Sequence, residues 1–194
     1  MSDPVEILDY WLGEVGEAGW FAGGAALDAD IRARFAEVWQ AAHDGGLEHW
    51  VEGAAGTLAY LVVCDQLSRN LHRGQAMAFA TDARALAAAR KALDAGWDLA
   101  VPEPERVFFY MPFDHSEDSE DQSLSVRLMT ERLGDPEMVL HAQAHQAIIA
   151  RFGRFPYRNA ALGRDSTAAE QQFIDKGGYG VMVEALRASH AQDA

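Results

Sequence analysis

From Thr57 to Leu67 the chain reads TLAYLVVCDQL, and directly afterwards it turns polar through Ser68, Arg69, Asn70, His72 and Arg73 before Gly74 closes the stretch. The apolar part predicts the central and most buried helix of the fold. Asp65, Gln66 and the polar residues behind them arrive at the end of that helix. Polar groups in such a place must be paired there or must face a cavity. The longest wholly apolar run, Leu58 to Cys64, is far shorter than the ~20 residues a membrane-spanning helix needs.

The rest of the chain reads the same way. Helix signals run almost throughout, and no run of alternating β-branched residues predicts a strand. Pro4 suits a first helical turn after Asp3, with Val5, Leu8 and Leu12 on one face and Gly13 as its end. Trp20 and Phe21 follow in a glycine-rich loop, where adjacent aromatics plug a core edge. Asp28 or Asp30 is expected to cap a helix over residues 29–43, striped by Ile31, Phe35, Val38 and Trp39. Further helices are expected over residues 82–95, ended by Gly96, and over 120–133, capped by Asp118 or Ser119. Another runs over 137–152, ended by Gly153. Ser166 or Thr167 with Glu170 reads as a capping box, and a short terminal helix covers Tyr179 to Ser189 before a frayed tail from Ala191. These signals predict one all-α domain over residues 1–194, an irregular array of eight to ten helices.

Charge sharpens the picture. The formal net charge is −14, which argues against nucleic-acid or anionic-membrane binding over the surface as a whole. Against that background the stretch RFGRFPYRNAALGR, Arg151 to Arg164, carries four arginines and no acid. Its glycines, proline and aromatics favour a fixed, non-helical path. The N-terminus MSDPVEILDYW has no basic and apolar segment of the signal-peptide kind. The single cysteine, Cys64, lies in an apolar run, as buried free thiols do. A cytoplasmic protein is expected.

Three polar clusters follow or precede apolar helices. The first is Asp65, Gln66, Arg69, Asn70 and Arg73. The second is Asp114, His115, Ser116, Glu117 and Gln122. The third is Arg151, Arg154, Tyr157, Arg158, Asn159 and Arg164. They are expected to converge and satisfy one another. The functional expectation is an arginine-lined polar cleft for a small anionic ligand, phosphate or carboxylate, with Arg69, Arg73, Arg154 and Arg158 as the clamp. His115 and Glu117 are the candidates for proton transfer. The alternative is a helical protein–protein interaction scaffold whose polar motifs form a structural salt-bridge network. His141 and His145 stand at i, i+4, but HAQAH lacks the glutamate of a zinc-protease helix and no third ligand is evident, so no metal site is assigned. One core-facing and one exposed histidine is the expectation. Neither GxxxxGK[ST] nor GxGxxG is present, and no cofactor is assigned.

DQLSRNLHRG (Asp65 to Gly74), FFYMPFDHSEDSEDQ (Phe108 to Gln122) and RFGRFPYRNAALGRDST (Arg151 to Thr167) together resemble the bacterial domain-of-unknown-function family numbered 924. The opening ILDYW and the Trp20–Phe21 pair fit it as well. The resemblance implies an all-helical fold with helix pairs packed in a tetratricopeptide-like manner, and it implies no particular reaction. Two positions depart from the family form. Ser68 stands where proline is usual, and Tyr157 where histidine is common. A tyrosine can donate a hydrogen bond there but does not titrate near neutrality.

Overall fold

The computed structural model describes residues 3–192, and these contain helices and turns but no strand. The chain forms two compact units, residues 1–112 and 113–194.

In the first unit, α1 (Pro4–Leu8) is capped by Asp3, whose Oδ1 accepts the Glu6 N–H at 2.9 Å, with Pro4 in the first turn. A wider π-type turn over Asp9–Val15 leads into α2 (Gly16–Trp20) and then α3 (Ala25–His43). Helix α3 begins four residues before its expected start, because its expected caps are used elsewhere. The Asp28 carboxylate accepts from Asn70 and Arg73, and Asp30 accepts from the Tyr10 hydroxyl at 2.8 Å. Of the two aromatics expected in a loop, Trp20 instead closes α2, and only it plugs the core. Its indole N–H donates to the Trp11 carbonyl and its ring meets Phe108, whereas Phe21 is half exposed.

Helix α4 (Ala54–Leu61) continues through a second π-type turn, Val62–Leu67, into the short α5 (Ser68–Leu71). Every residue from Thr57 to Ser68 is buried, as the apolar run requires. Close approach is built into the start of α4. A Cβ on Gly56 would sit 2.3 Å from the Trp50 carbonyl oxygen, so only glycine fits. Helix α6 (Asp82–Ala95) buries Ala85, Ala88, Ala89 and Ala92 and packs against α4, ending at Gly96 in the left-handed region. The division between the units falls within α7 (Met111–Asp114).

The second unit is built on α9 (Pro136–Phe152), which packs against both α8 (Ser119–Leu128) and α11 (Tyr179–His190). Asp118 caps α8 and Asp135 caps α9, each accepting two backbone N–H groups. Gly153 ends α9 with φ 69°, where a residue with a Cβ would be strained. The arginine stretch, expected to be non-helical throughout, gives its first two residues, Arg151 and Phe152, to the end of α9, and only from Gly153 does it run as a non-helical path, with one short 3₁₀ turn, Pro156–Arg158. Thr167 and Glu170 form the expected capping box of α10 (Ala168–Asp175). The core gathers Ile148, Ile149, Phe155 and Phe173, with Phe152, Tyr179 and Met182 packed on it. Of the tail expected to fray, Asp193 and Ala194 lie outside the described residues. Among the described residues no helix is long and apolar enough to cross a membrane.

Candidate functional site

The first polar cluster belongs to the first unit and finds partners there. Asp65 is 1% exposed, and its Oδ1 lies 3.1 Å from Arg69 Nη1. Arg69 also donates to the Asp65 carbonyl and to both oxygens of Asp82. The Gln66 amide donates to Asp65 Oδ2. Arg73 and Asn70 share the Asp28 carboxylate, whose pKa the Arg73 hydrogen bonds hold below the ordinary range. Two acids that the sequence placed in helix caps or helix surfaces, Asp28 and Asp82, are thus what neutralises these arginines.

The second and third clusters meet in the second unit. Arg164 grips Glu117 with two parallel hydrogen bonds, 2.7 and 3.0 Å, and Glu117 Oε1 also accepts the Phe155 N–H at 2.8 Å. Burial alone raises the Glu117 pKa, but Arg164 and the Phe155 N–H outweigh it and keep the group ionised below the usual range. Arg154 grips Glu170 in the same forked way, 2.6 and 2.9 Å, and holds that carboxyl down to about 2, with the Thr167 N–H helping. Arg158 is buried. It donates to the His115 carbonyl at 3.0 Å and lies over the Phe155 ring. Arg151 is exposed over the Phe152 ring. Asn159 is 1% exposed and bridges Ser166 and Arg164. Tyr157 stacks on Phe155. Gln122 is fully buried and its amide donates to the Phe113, Asp114 and Ser116 carbonyls, pinning the turn that carries the second cluster.

What sequence reasoning missed lies beside these pairs. Asp114 is buried, and its Oδ2 lies 2.6 Å from His145 Nδ1, close enough for an ion pair though off the line of an aligned hydrogen bond. Burial alone raises the Asp114 pKa. His145, then His115 and Ser125, outweigh it and hold the carboxyl below its usual range. The His115 ring meets the His145 ring edge to face at 6.1 Å, and Tyr179 stacks on His145 at 4.7 Å. The Tyr179 hydroxyl is hydrogen-bonded to His141 Nδ1. Burial, reinforced by Asp114, pushes the Tyr179 phenol up, and burial with His145 pushes the His141 imidazole down. Both histidines of HAQAH are therefore half-buried in one polar group, rather than one in the core and one in solvent. The i, i+4 spacing on α9 was the available signal. Asp114 and Tyr179 complete the group from 31 residues before His145 and 34 after it, which no local pattern reveals. Among the described residues no three His, Cys, Asp or Glu side chains are arranged to hold a metal ion.

The group can therefore do acid–base chemistry of a specific kind. A buried carboxylate beside Nδ1 holds the imidazole ring in place and leaves Nε2 as the nitrogen for proton exchange. Glu117 and Glu170, held ionised by arginine, serve as anchors and not as proton donors near neutrality.

Comparison with known proteins agrees with the fold. The structure of a protein of unknown function, ATU0120 from Agrobacterium tumefaciens, is 39% identical, with a TM-score of 0.84 over 90% of this chain and 97% of that one. No curated protein matches the chain. The model of a bacterial protein family of unknown function, DUF924, matches residues 7–178, a span that includes all three polar motifs. The chain belongs to the DUF924 family.

Proposed function

We propose that the second unit carries a general acid–base site in which His145, oriented by Asp114, exchanges a proton with a small polar substrate. The observation that carries this reading is the buried Asp114 carboxylate at 2.6 Å from His145 Nδ1. The stacked Tyr179 ring fixes the second face of the imidazole, and His115 stands at its edge. Positioned acid–base groups of this sort contribute about 10²–10⁴-fold to a rate. Of the two proton-transfer residues expected from sequence, His115 stays within the site. Glu117 becomes the anchor of Arg164.

A second reading, that the arginine stretch is a structural lock, has its own support. Arg154 and Arg164 each spend two hydrogen bonds on a carboxylate, so Glu170 and Glu117 cancel two of the stretch's four positive charges in space. An anion would have to compete with those carboxylates for the same forks.

The two readings separate in one experiment. The full chain is screened for turnover of ester, phosphoester, amide and hydroxy-carbonyl substrates, alongside His145→Gln and Asp114→Asn, with folding checked by circular dichroism. The expected result is turnover confined to one class, lost in His145→Gln, with an altered pH profile in Asp114→Asn. Turnover that survives in folded His145→Gln, or no turnover in any class with variants that only lower the melting temperature, refutes the acid–base reading and leaves the lock.

A further inference from the structure

A groove of about 420 Å³ lies in the first unit between α6 and the turn Glu48–Trp50, with Tyr60 of α4 behind it. The sequence of α6 builds its floor. Ala87 and Ala88 come one turn after Arg84, and Lys91 one turn after them, the i, i+3, i+4, i+7 spacing that puts four side chains on one helical face. Small side chains between two long basic ones leave a trough with a cation at each end, about 10 Å apart along the helix axis. Val51 and the Tyr60 ring add apolar surface.

The two cations are not in the same state. Arg84 Nη1 donates to Glu48 Oε1 at 2.6 Å, so that end of the groove is neutral. The Lys91 ammonium donates to the Val51 carbonyl at 2.6 Å and stands 5.6 Å from the centroid of the Trp97 ring. The carbonyl and the ring hold it in place without cancelling its charge, and no carboxylate among the described residues pairs with it. On a chain with 30 acidic residues against 16 lysines and arginines, an ammonium without a counter-ion is a local excess of positive charge. Of its three N–H donors one is spent on Val51, and Lys91 is an exposed residue, so a ligand in the groove can reach the others.

One uncompensated positive charge and an apolar floor select among ligands. A cation would meet Lys91 and Arg84, and a neutral molecule would leave the ammonium unpaired. A dianion such as a phosphate monoester would find one unpaired ammonium for two charges, with the Glu48 carboxylate at the other end of the groove. A monoanion supplies the missing counter-charge and no more, and an apolar body attached to it would cover Ala87, Ala88 and Val51. The volume lies within the usual range of small-molecule sites. We propose that this groove binds a small monocarboxylate with an apolar body, an aromatic or short aliphatic acid, with its carboxylate on Lys91 and its body along the alanine floor. The site lies in the first unit and is independent of the acid–base reading of the second.

The test is saturation-transfer NMR on the full chain with benzoate and hexanoate, against benzamide, benzylamine and the phenyl phosphate dianion. Benzoate and hexanoate should receive saturation, and the other three should bind at least about tenfold more weakly, the worth of one charge-assisted hydrogen bond. Ala87→Trp, at an exposed position on the groove floor, should abolish the signal while the circular dichroism spectrum is retained. Lys91→Met is the second variant. It keeps the unbranched stem and removes the ammonium, so it should weaken both carboxylates about tenfold and leave benzamide unchanged. Absence of saturation for both carboxylates overturns the proposal. So does benzamide, benzylamine or phenyl phosphate binding as tightly as benzoate, a signal that persists in folded Ala87→Trp, or an affinity for benzoate that is unchanged in folded Lys91→Met.

Discussion

Replacing Gly56 by alanine sets two effects of opposite sign against each other. Gly56 lies in α4, and alanine is favoured over glycine in a helix by about 1 kcal/mol. Propensity alone therefore predicts a stabilised protein. The structure predicts the reverse. The added Cβ would lie 2.3 Å from the Trp50 carbonyl oxygen and 3.3 Å from its carbon. A carbon and a carbonyl oxygen rest in contact at about 3.3 Å, so the overlap is about 1 Å. The atom met is backbone, held in the turn Glu48–Trp50, and no side-chain torsion can move it aside. Overpacking of this kind costs up to about 3 kcal/mol, which leaves a net loss of roughly 2 kcal/mol. The assay is urea unfolding followed by tryptophan fluorescence. All five tryptophans, Trp11, Trp20, Trp39, Trp50 and Trp97, lie in the first unit, so the signal reports on the unit that is perturbed. A loss of that size lowers the midpoint by about 1 M with an unchanged slope. Gly13→Ala is the internal control. Its Cβ would meet nothing within 4 Å, so it should stabilise by about 0.5–1 kcal/mol. A Gly56→Ala midpoint equal to or above that of the parent refutes the steric argument.

Other predictions follow from charge. Arg164→Met leaves Glu117 with the Phe155 N–H alone. The pair is partly exposed, so the expected loss is about 1–2 kcal/mol and not the larger figure of a fully buried pair, read as a lower melting temperature by circular dichroism. An unchanged melting temperature would show that the fork contributes nothing. The imidazoles of His72 and His141 are both depressed below the ordinary 6.5, chiefly by burial. The unfolded chain then binds more protons than the folded one in the window below 6.5. Stability should be flat well above it and should fall as the pH drops through it and below. His141→Gln should remove part of that slope, and a melting temperature that rises on acidification over the same range contradicts the assignment.

Much of the helical frame was legible because its signals are local. Asp3 before Pro4, Thr167 with Glu170, and Gly96 and Gly153 after their helices each act within a turn, and each is found where the sequence places it. The misplaced start of α3 has the opposite cause. Asp28 is a good cap in isolation, yet Arg73, 45 residues away, claims its carboxylate. The candidate site was legible as a set of residues and not as a set of partners. Sequence shows four arginines without an acid between them. It does not show that Glu117 and Glu170 fold onto two of them, or that Asp114 and Tyr179 enclose His145. Those pairings are decided by tertiary packing around α9, which no periodicity encodes.

The forked pairs of the arginine stretch also bear on the order in which the chain is made. Glu117 waits for a partner 47 residues later, Arg154 for one 16 residues later, and His141 for one 38 residues later. Chains leave the ribosome from the N-terminus at about 5–20 residues per second. Glu117 and Arg154 therefore spend a few seconds in a nascent chain that lacks their counter-charges. Release before residue 164 strands Glu117, release before 170 strands Arg154, and release before 179 leaves the histidines of α9 open. A chain released early thus carries Glu117 or Arg154 without the counter-charge that the longer chain folds onto it.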